Sequence, residues 1–263
     1  MEHNQYIKQI KRKKRKIQLA RIMILVIFII AWELASGLGF IDKFFFSSPS
    51  GVIKSLTEVN LNGNVLIHTG VTLYETIISF VLTIILSLLT AVLLWMFTSV
   101  SQILEPYLVA LNSLPKSALA PLLIVWLGTG TSTIIIAGMS VALFGSIINL
   151  YYGFRENDTD GTKLIYTLGG NKACVLRKII LPGSIPIIIS NLKVNIGLCL
   201  VGVIIGEFLS SKRGLGYLII YSTQVFKLDW LIMSILILCI IAMALYFILQ
   251  TFEKVINRHY NTK

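Results

Sequence analysis

Six apolar runs dominate the sequence, and each is long enough to cross a lipid bilayer, which takes about 20 residues of helix. They are read at residues 17–40, 70–97, 103–127, 133–152, 184–206 and 230–252. Hydrophobic residues make up 56% of the chain and charged residues only 13%, against about 25% in a soluble domain. Because lipid offers the backbone no hydrogen-bond partner, and the runs are far longer than barrel strands, all six are predicted to be helices. The predicted fold class is therefore all-α, a polytopic membrane protein with six transmembrane helices.

The distribution of basic residues predicts the orientation of these helices. Residues 1–16 form a basic tail, in which 11–16 are all Lys or Arg. Under the positive-inside rule this tail lies in the cytoplasm, and six crossings by the domain 17–263 bring the C-terminus back to the same side. The basic connector 153–183 then lies inside, and the lysine-poor segment 41–68 lies outside. The net charge of +11 is assigned to topology and to attraction to anionic lipid rather than to nucleic-acid binding.

The connector 153–183 is expected to contain a short helix followed by a sharp turn. Leu164, Ile165 and Leu168 recur at helical spacing and predict a helix over 159–168. Gly169 and Gly170 follow, and a chain reversal with positive φ is expected there because glycine adopts that conformation without steric cost.

A second short helix is expected after this turn. Its apolar residues, Val175, Leu176, Ile179 and Ile180, lie one, three and four positions apart. Pro182 ends it before the fifth span. The two helices would form a bracket whose apolar face can bury in a groove on a partner protein. From the spacing alone, an amphipathic loop lying on the membrane surface explains the pattern equally well.

Catalytic and metal-binding motifs are missing from the sequence. It contains no Gly-x-x-x-x-Gly-Lys-Ser/Thr loop for nucleotides, no His-Glu-x-x-His and no Gly-x-Ser-x-Gly. The three histidines are scattered, and the three cysteines have no disulfide or metal spacing. We expect no catalytic residue, no metal site and no cofactor in this chain, and an energy source on another chain.

The connector also carries a family motif. Gly169, nine residues and Ile179-x-Leu181-Pro182 resemble the cytoplasmic coupling motif in the membrane subunits of bacterial ABC importers. Blocks that resemble the nitrate/sulfonate/taurine group of these permeases lie at 48–53, 114–122, 126–130, 205–209 and 214–219. One departure is that Lys163-Leu164-Ile165 stands where the wider family has Glu-Ala-Ala, so an ion pair of the usual Glu is not carried over.

The resemblance implies the type I ABC importer permease fold, in a bacterial inner membrane. It implies a homodimer of permease subunits, two cytoplasmic ATPase subunits that hold ATP and Mg, and an external substrate-binding protein. The implied ATPase-coupling residues are Lys163, Leu164, Ile165, Leu168, Gly169, Gly170, Ile179, Leu181 and Pro182. The solute is expected to be a small anion, with taurine, alkanesulfonate, nitrate, bicarbonate and a thiamine-precursor pyrimidine all open. The alternative is a stand-alone secondary transporter or channel with a basic loop.

Three charged residues at membrane depth each allow two hypotheses about their role. Lys116 and Lys193 either line the translocation pathway and attract an anion, or reach the interface or the carbonyls of a broken helix end. Glu207, at the outer end of the fifth span, either forms an external gate or pairs with Lys212 or Arg213 to fix a turn.

Overall fold

The computed structural model describes residues 2–61, 64–157 and 159–260. Lys263, which the topology prediction uses, lies outside the described residues. The described helices are, in chain order, α1 (Glu2–Gly37), α2 (Lys43–Phe46), α3 (Pro49–Leu61), α4 (Asn64–Met96), α5 (Thr98–Ser113), α6 (Lys116–Leu127), α7 (Thr131–Arg155), α8 (Thr159–Thr167), α9 (Lys172–Val175), α10 (Leu181–Gly183), α11 (Ile185–Ser210), α12 (Leu215–Gln224) and α13 (Leu228–Tyr260). A π-helical turn, Leu176–Ile180, joins α9 to α10. This part of the chain contains no strand, so the all-α prediction is confirmed.

Five helices are long and apolar enough to cross a membrane without interruption. Their spanning parts are Arg15–Gly37, Val65–Met96, Thr131–Arg155, Ile185–Ser210 and Leu228–Ile256. These correspond to five of the six predicted runs, with ends that differ from the predicted ones by a few residues in either direction. The first span continues the helix of the basic tail without a break, because α1 already begins at Glu2.

The run predicted as a third straight span, 103–127, is instead a broken pair of helices. α5 and α6 meet at an angle of 97°. The break has a local cause at Pro115, which has no backbone N–H to donate, and at Leu114 before it. Leu114 is extended, with φ −63° and ψ 140°, as expected of a residue whose α conformation is disfavoured by a following proline. Counting the bent pair as one span gives six.

The centre of the molecule is formed by α7, which packs against α4 and α11 more extensively than any other two helices pack against each other. Small residues allow this close approach. A Cβ added to Gly138 of α7 would lie 2.6 Å from the Ser79 hydroxyl of α4, and one added to Gly202 of α11 would lie 2.8 Å from the Ala137 carbonyl oxygen. Without a hydrophobic drive between helices in lipid, such close packing is what holds membrane helices together.

Helix α1 stands apart from this centre. No residue in the most apolar 18-residue stretch of α1 is buried by the rest of the chain. The helix packs mainly against α3. Such a helix needs lipid or another subunit around it. The short helices α2, α3 and α12, which connect spans at the opposite end from α8, were not predicted from the sequence.

Candidate functional site

The connector between α7 and α11 forms the bracket that the sequence predicts. Its first helix is α8, and Gly169 then adopts φ +79°, so the predicted positive φ is confirmed. Gly170 is required for a different reason, because a Cβ there would lie 2.4 Å from the Ile165 side chain. The Asn171 side chain accepts the Cys174 amide hydrogen at 2.9 Å and caps α9.

The second half of the bracket is part of this chain's own core. Val175, Leu176 and Ile180 are buried together with Leu94 of α4 and Phe154 of α7. The expectation that their apolar face lies in a partner's groove is therefore wrong. They pack instead against α4 and α7 of the same chain.

The first half of the bracket leaves apolar side chains uncovered. Leu164 is 60% exposed and Leu168 77% exposed, and Tyr166 between them is also exposed. Ile165, on the opposite side of α8, packs against the core, as do Ile179 and Leu181, whereas Pro182 is exposed. Of the predicted coupling residues, Leu164 and Leu168 thus form the exposed apolar surface of α8.

Polar contacts tie the bracket to the ends of the spans. The Lys172 ammonium donates to the carbonyl oxygen of Met96, the last residue of α4, at 2.6 Å. The Asn157 amide donates to the Ile180 carbonyl oxygen at 3.0 Å and to the Ser184 hydroxyl at 2.9 Å. Lys163 forms an exposed ion pair with Asp160, at 3.2 Å, and such pairs contribute little to stability. These contacts attach the bracket to the ends of α4, α7 and α11.

Lys116 lies at the break between α5 and α6. Its ammonium donates to the carbonyl oxygens of Asn112 at 2.6 Å and Leu111 at 3.2 Å. These carbonyls belong to the last turn of α5, where a cation is favoured. The structure therefore agrees with the second interpretation of Lys116, in which its ammonium binds the carbonyls of a broken helix end.

Lys193 is paired. Its ammonium lies 2.8 Å from a carboxylate oxygen of Glu253 on α13, and both side chains are three-quarters or more buried. Sequence reasoning missed Glu253 as the partner. The signal was available, because a buried lysine at membrane depth requires a counter-charge or a water-filled surrounding.

Glu207 is buried in a network at the opposite end of the spans, near the start of α12. It accepts the Thr72 hydroxyl at 2.6 Å and the Gly216 amide hydrogen at 2.6 Å. Among the described residues it forms no ion pair with Lys212 or Arg213, so that predicted pairing is wrong. Glu207 does fix the turn before α12, but through a backbone amide.

Side chains of α4 complete this network, which we call the outer network: His68, Thr72, Glu75 and Glu207. The Leu215 amide donates to the Thr72 hydroxyl at 2.8 Å, and the Gly214 amide donates to Nδ1 of His68 at 2.9 Å. Three consecutive amides at the start of α12 are thus capped by side chains from α4 and α11. This satisfies donors that a helix N-terminus leaves unpaired.

Glu75 extends the outer network into a cavity. Its side chain is 1% exposed and lies beside those of Glu207 and Thr131. Its Oε2 atom has no protein partner, and the residue lines a cavity of about 450 Å³ between α4, the start of α7 and the loop 210–213.

Comparison with known families identifies this architecture. A family model described as the binding-protein-dependent transport system inner membrane component matches residues 83–262, more than half of the chain. The chain belongs to this family. The matched region includes the connector, the central helices α7 and α11, and α13.

Relatives of this permease and solved structures agree with the assignment. A probable ABC transporter permease protein of Haemophilus influenzae is 30% identical over 88% of this chain and 94% of its own length. The putative aliphatic sulfonates transport permease protein SsuC of Bacillus subtilis is 24% identical over 87% and 83%. An inward-facing structure of the MetNI methionine ABC transporter has a TM-score of 0.64 at 15% identity, over 72% of this chain and 94% of that one.

The permease is therefore a membrane subunit of a binding-protein-dependent ABC importer of the nitrate/sulfonate/taurine type. It is a multi-pass membrane protein and not an enzyme, since ATP hydrolysis belongs to a separate subunit. It works with an ATPase and with a substrate-binding protein. The alternative of a stand-alone secondary transporter or channel is set aside.

Proposed function

We propose that this permease imports a small anionic solute as a homodimer, with α8 as the surface that receives the movement of the ATPase. The observation that supports this most directly is the division of the bracket. Its second half is buried in the core, while Leu164 and Leu168 on its first half are exposed. An apolar surface on a rigidly held projection fits the need of a subunit that must be pushed by another protein.

The proposed mechanism has few steps. Two ATPase subunits, which hold ATP and Mg, close when ATP binds and displace the α8 surface. Because Lys172 and Asn157 tie the bracket to the spans, α4, α7 and α11 move with it and open the pathway outward. By linkage, the solute-loaded binding protein must favour the same conformation that ATP favours.

The proposed orientation puts the connector and both termini in the cytoplasm. Its support is the basic tail before the first span and the basic residues Arg155, Lys172, Arg177 and Lys178 of the connector. The outer network then lies at the external side, where the binding protein delivers solute, and Glu207 holds the external end closed by fixing the start of α12.

The proposed pathway runs beside the break between α5 and α6. Ser113, Leu114 and Pro115 are exposed within the single chain, and non-helical backbone at membrane depth is tolerated only against protein or in a water-filled cavity. A second copy of the permease would supply such a surrounding. Lys116 at this break would make the pathway favourable to an anion, and the SsuC and TauC relatives, named for aliphatic sulfonates and taurine, support a sulfonate-like solute. Lys193 is less suited to attract an anion into the pathway, because the Glu253 carboxylate neutralises its charge.

Photo-crosslinking tests the proposal directly. A photoreactive amino acid at position 168 should capture the ATPase subunit in intact membranes. The same group at Leu38, which is similarly exposed and follows the C-terminal end of α1, should not. Impermeant thiol labelling of Thr162→Cys in intact cells, in a variant without native cysteines, checks the orientation. Labelling from outside, or equal capture at both positions, would show that the connector is not the coupling surface.

A further inference from the structure

A second cavity lies on the connector side, apart from the outer network and from the exposed face of α8. It has a volume of about 230 Å³ and opens where α4 ends and α5 begins, against the last turn of α7. It is lined by Leu94, Trp95, Thr98, Ser101, Gln102, Tyr151, Arg155 and Lys172. Since a water molecule takes about 30 Å³ of liquid, the cavity has room for a group much larger than one water.

Two cations that face this cavity have no carboxylate partner among the residues that the structure describes. The ion pairs within the described residues are Lys163 with Asp160 and Lys193 with Glu253, so neither Arg155 nor Lys172 is in one. The Arg155 guanidinium lies 5.6 Å from the Tyr151 ring centre and makes one long contact, 3.5 Å, with its hydroxyl. A guanidinium has five N–H donors, so most of those of Arg155 are free to bind an anion.

Lys172 also retains binding capacity. Its ammonium uses one donor on the Met96 carbonyl oxygen, at 2.6 Å, and lies 5.6 Å from the Trp95 ring centre. An ammonium has three donors. Two like charges beside one cavity repel each other, and an anion placed between them removes that repulsion.

The surroundings indicate what kind of anion fits. The residues that flank the cavity along the chain, Leu93, Phe97 and Val100, are apolar and exposed, as expected of surfaces that contact acyl chains. Trp95, at the end of a span, has the position of an interfacial aromatic anchor. A ligand that is anionic in the cavity and apolar beside it matches both features, and basic pockets between membrane helices bind phospholipid headgroups.

We propose that this cavity binds the phosphate headgroup of an anionic phospholipid, held by Arg155 and Lys172. The site does not depend on the proposed function. One consequence does, because Lys172 begins α9. A lipid bound there would steady the bracket, so ATP hydrolysis by the assembled importer should need anionic lipid.

Fluorescence quenching by brominated lipid gives the primary test, with Trp95 as the reporter and the Trp95→Phe variant as background. Brominated phosphatidylglycerol should quench the Trp95 signal at lower mole fractions than brominated phosphatidylcholine. Arg155→Gln should weaken this preference about fivefold, the effect of one cation near a charged surface, and Arg155→Lys should keep part of it. Arg177→Gln, which removes an exposed charge of the connector outside the cavity, is the matched control and should leave the preference unchanged.

Each other outcome overturns the proposal. Equal quenching by the two lipids would show that the cavity has no headgroup site. An equal loss of the lipid preference in Arg155→Gln and Arg177→Gln would show only an effect of general surface charge. A change of Trp95 emission on addition of inorganic phosphate, together with equal quenching by the two lipids, would assign the cavity to free phosphate. An Arg155→Gln variant that keeps the lipid preference but releases the ATPase would assign Arg155 to an acidic group of that subunit. Size-exclusion elution of each variant as wild type confirms that folding is intact, and these results leave the crosslinking test of α8 independent.

Discussion

The buried carboxyl of Glu207 joins α11 to the start of α12 by accepting the Gly216 amide hydrogen at 2.6 Å. The fit requires glycine on the other side of the contact. A Cβ added to Gly216 would lie 2.8 Å from the Glu207 Cβ, and one added to Gly214 would lie within 2.6 Å of three atoms of its carboxyl group. The glycines of the Gly-Leu-Gly sequence at 214–216 thus leave the space that the Glu207 side chain occupies. The same carboxyl also binds α4, because it accepts the Thr72 hydroxyl.

Replacing Glu207 should destabilise the outer network. Glu207→Gln keeps the shape but offers one acceptor where the carboxyl offers two, which leaves a buried donor unpaired at a cost of about 1–3 kcal/mol. The measurement is the thermal midpoint of the purified permease in detergent. Glu33→Gln is the control, because Glu33 also accepts a backbone amide, that of Ser50, but at an exposed position. A fall no larger than that of the control would contradict the structural role of Glu207.

A β-branched residue at Gly169 should uncouple the ATPase. Gly169 has φ +79° and open space around it, so Gly169→Val adds backbone strain of about 1–2 kcal/mol without a clash. We expect normal insertion, reduced ATPase co-purification and loss of substrate-stimulated ATP hydrolysis in proteoliposomes. Gly39→Val is a matched control. Gly39 also has a positive φ, +76°, and open space around it, but it follows the C-terminal end of α1, away from the connector. If both variants hydrolyse ATP alike, the conformation of the turn does not matter for coupling.

A charge on the exposed face of α8 should also weaken ATPase association. Leu168 is 77% exposed, so Leu168→Asp leaves the permease itself stable, and the cost appears only when a partner must cover the carboxylate. The ratio of ATPase to permease after co-purification measures the effect. Leu38→Asp, at 70% exposure on the opposite side of the membrane, should leave the ratio unchanged. Retention of the ATPase by Leu168→Asp would move the coupling surface elsewhere.

The sequence predicted the features that depend on neighbouring residues. Apolar runs, the turn at Gly169 and the short helix before it follow from spacing and from glycine's conformational freedom. The break after Ser113 could have been found, because Pro115 disfavours helix at the residue before it. The outer network could not be predicted from the spacing of neighbouring residues. His68, Thr72 and Glu75 share one face of α4, but the partners of His68 and Thr72 lie more than 130 residues away along the chain, and only packing brings them together.

Removal of the charge at Lys116 should reduce uptake. Lys116→Met deletes both hydrogen bonds to the end of α5 and the positive charge at the break, whereas Lys116→Arg preserves the charge. Uptake per assembled complex should fall in the Met variant and be partly retained in the Arg variant. Lys54→Met, which removes an exposed lysine of α3, controls for net charge. Unchanged uptake in Lys116→Met would leave Lys116 as a structural tie only.

The pair of Lys193 and Glu253 allows its structural role to be separated from a pathway role. Both side chains are partly exposed, so breaking the pair by Lys193→Met should cost about 1–3 kcal/mol, between the values for exposed and fully buried pairs. The single change Glu253→Gln should cost a similar amount, and the double variant should cost less than the sum of the two, which thermal midpoints of the four proteins measure as a coupling energy. The charge-reversed double variant, Lys193→Glu with Glu253→Lys, restores an ion pair but puts an anion on α11. If the pair only joins α11 to α13, this variant should recover both stability and uptake. Recovered stability without uptake would instead assign the cation on α11 to the path of the solute.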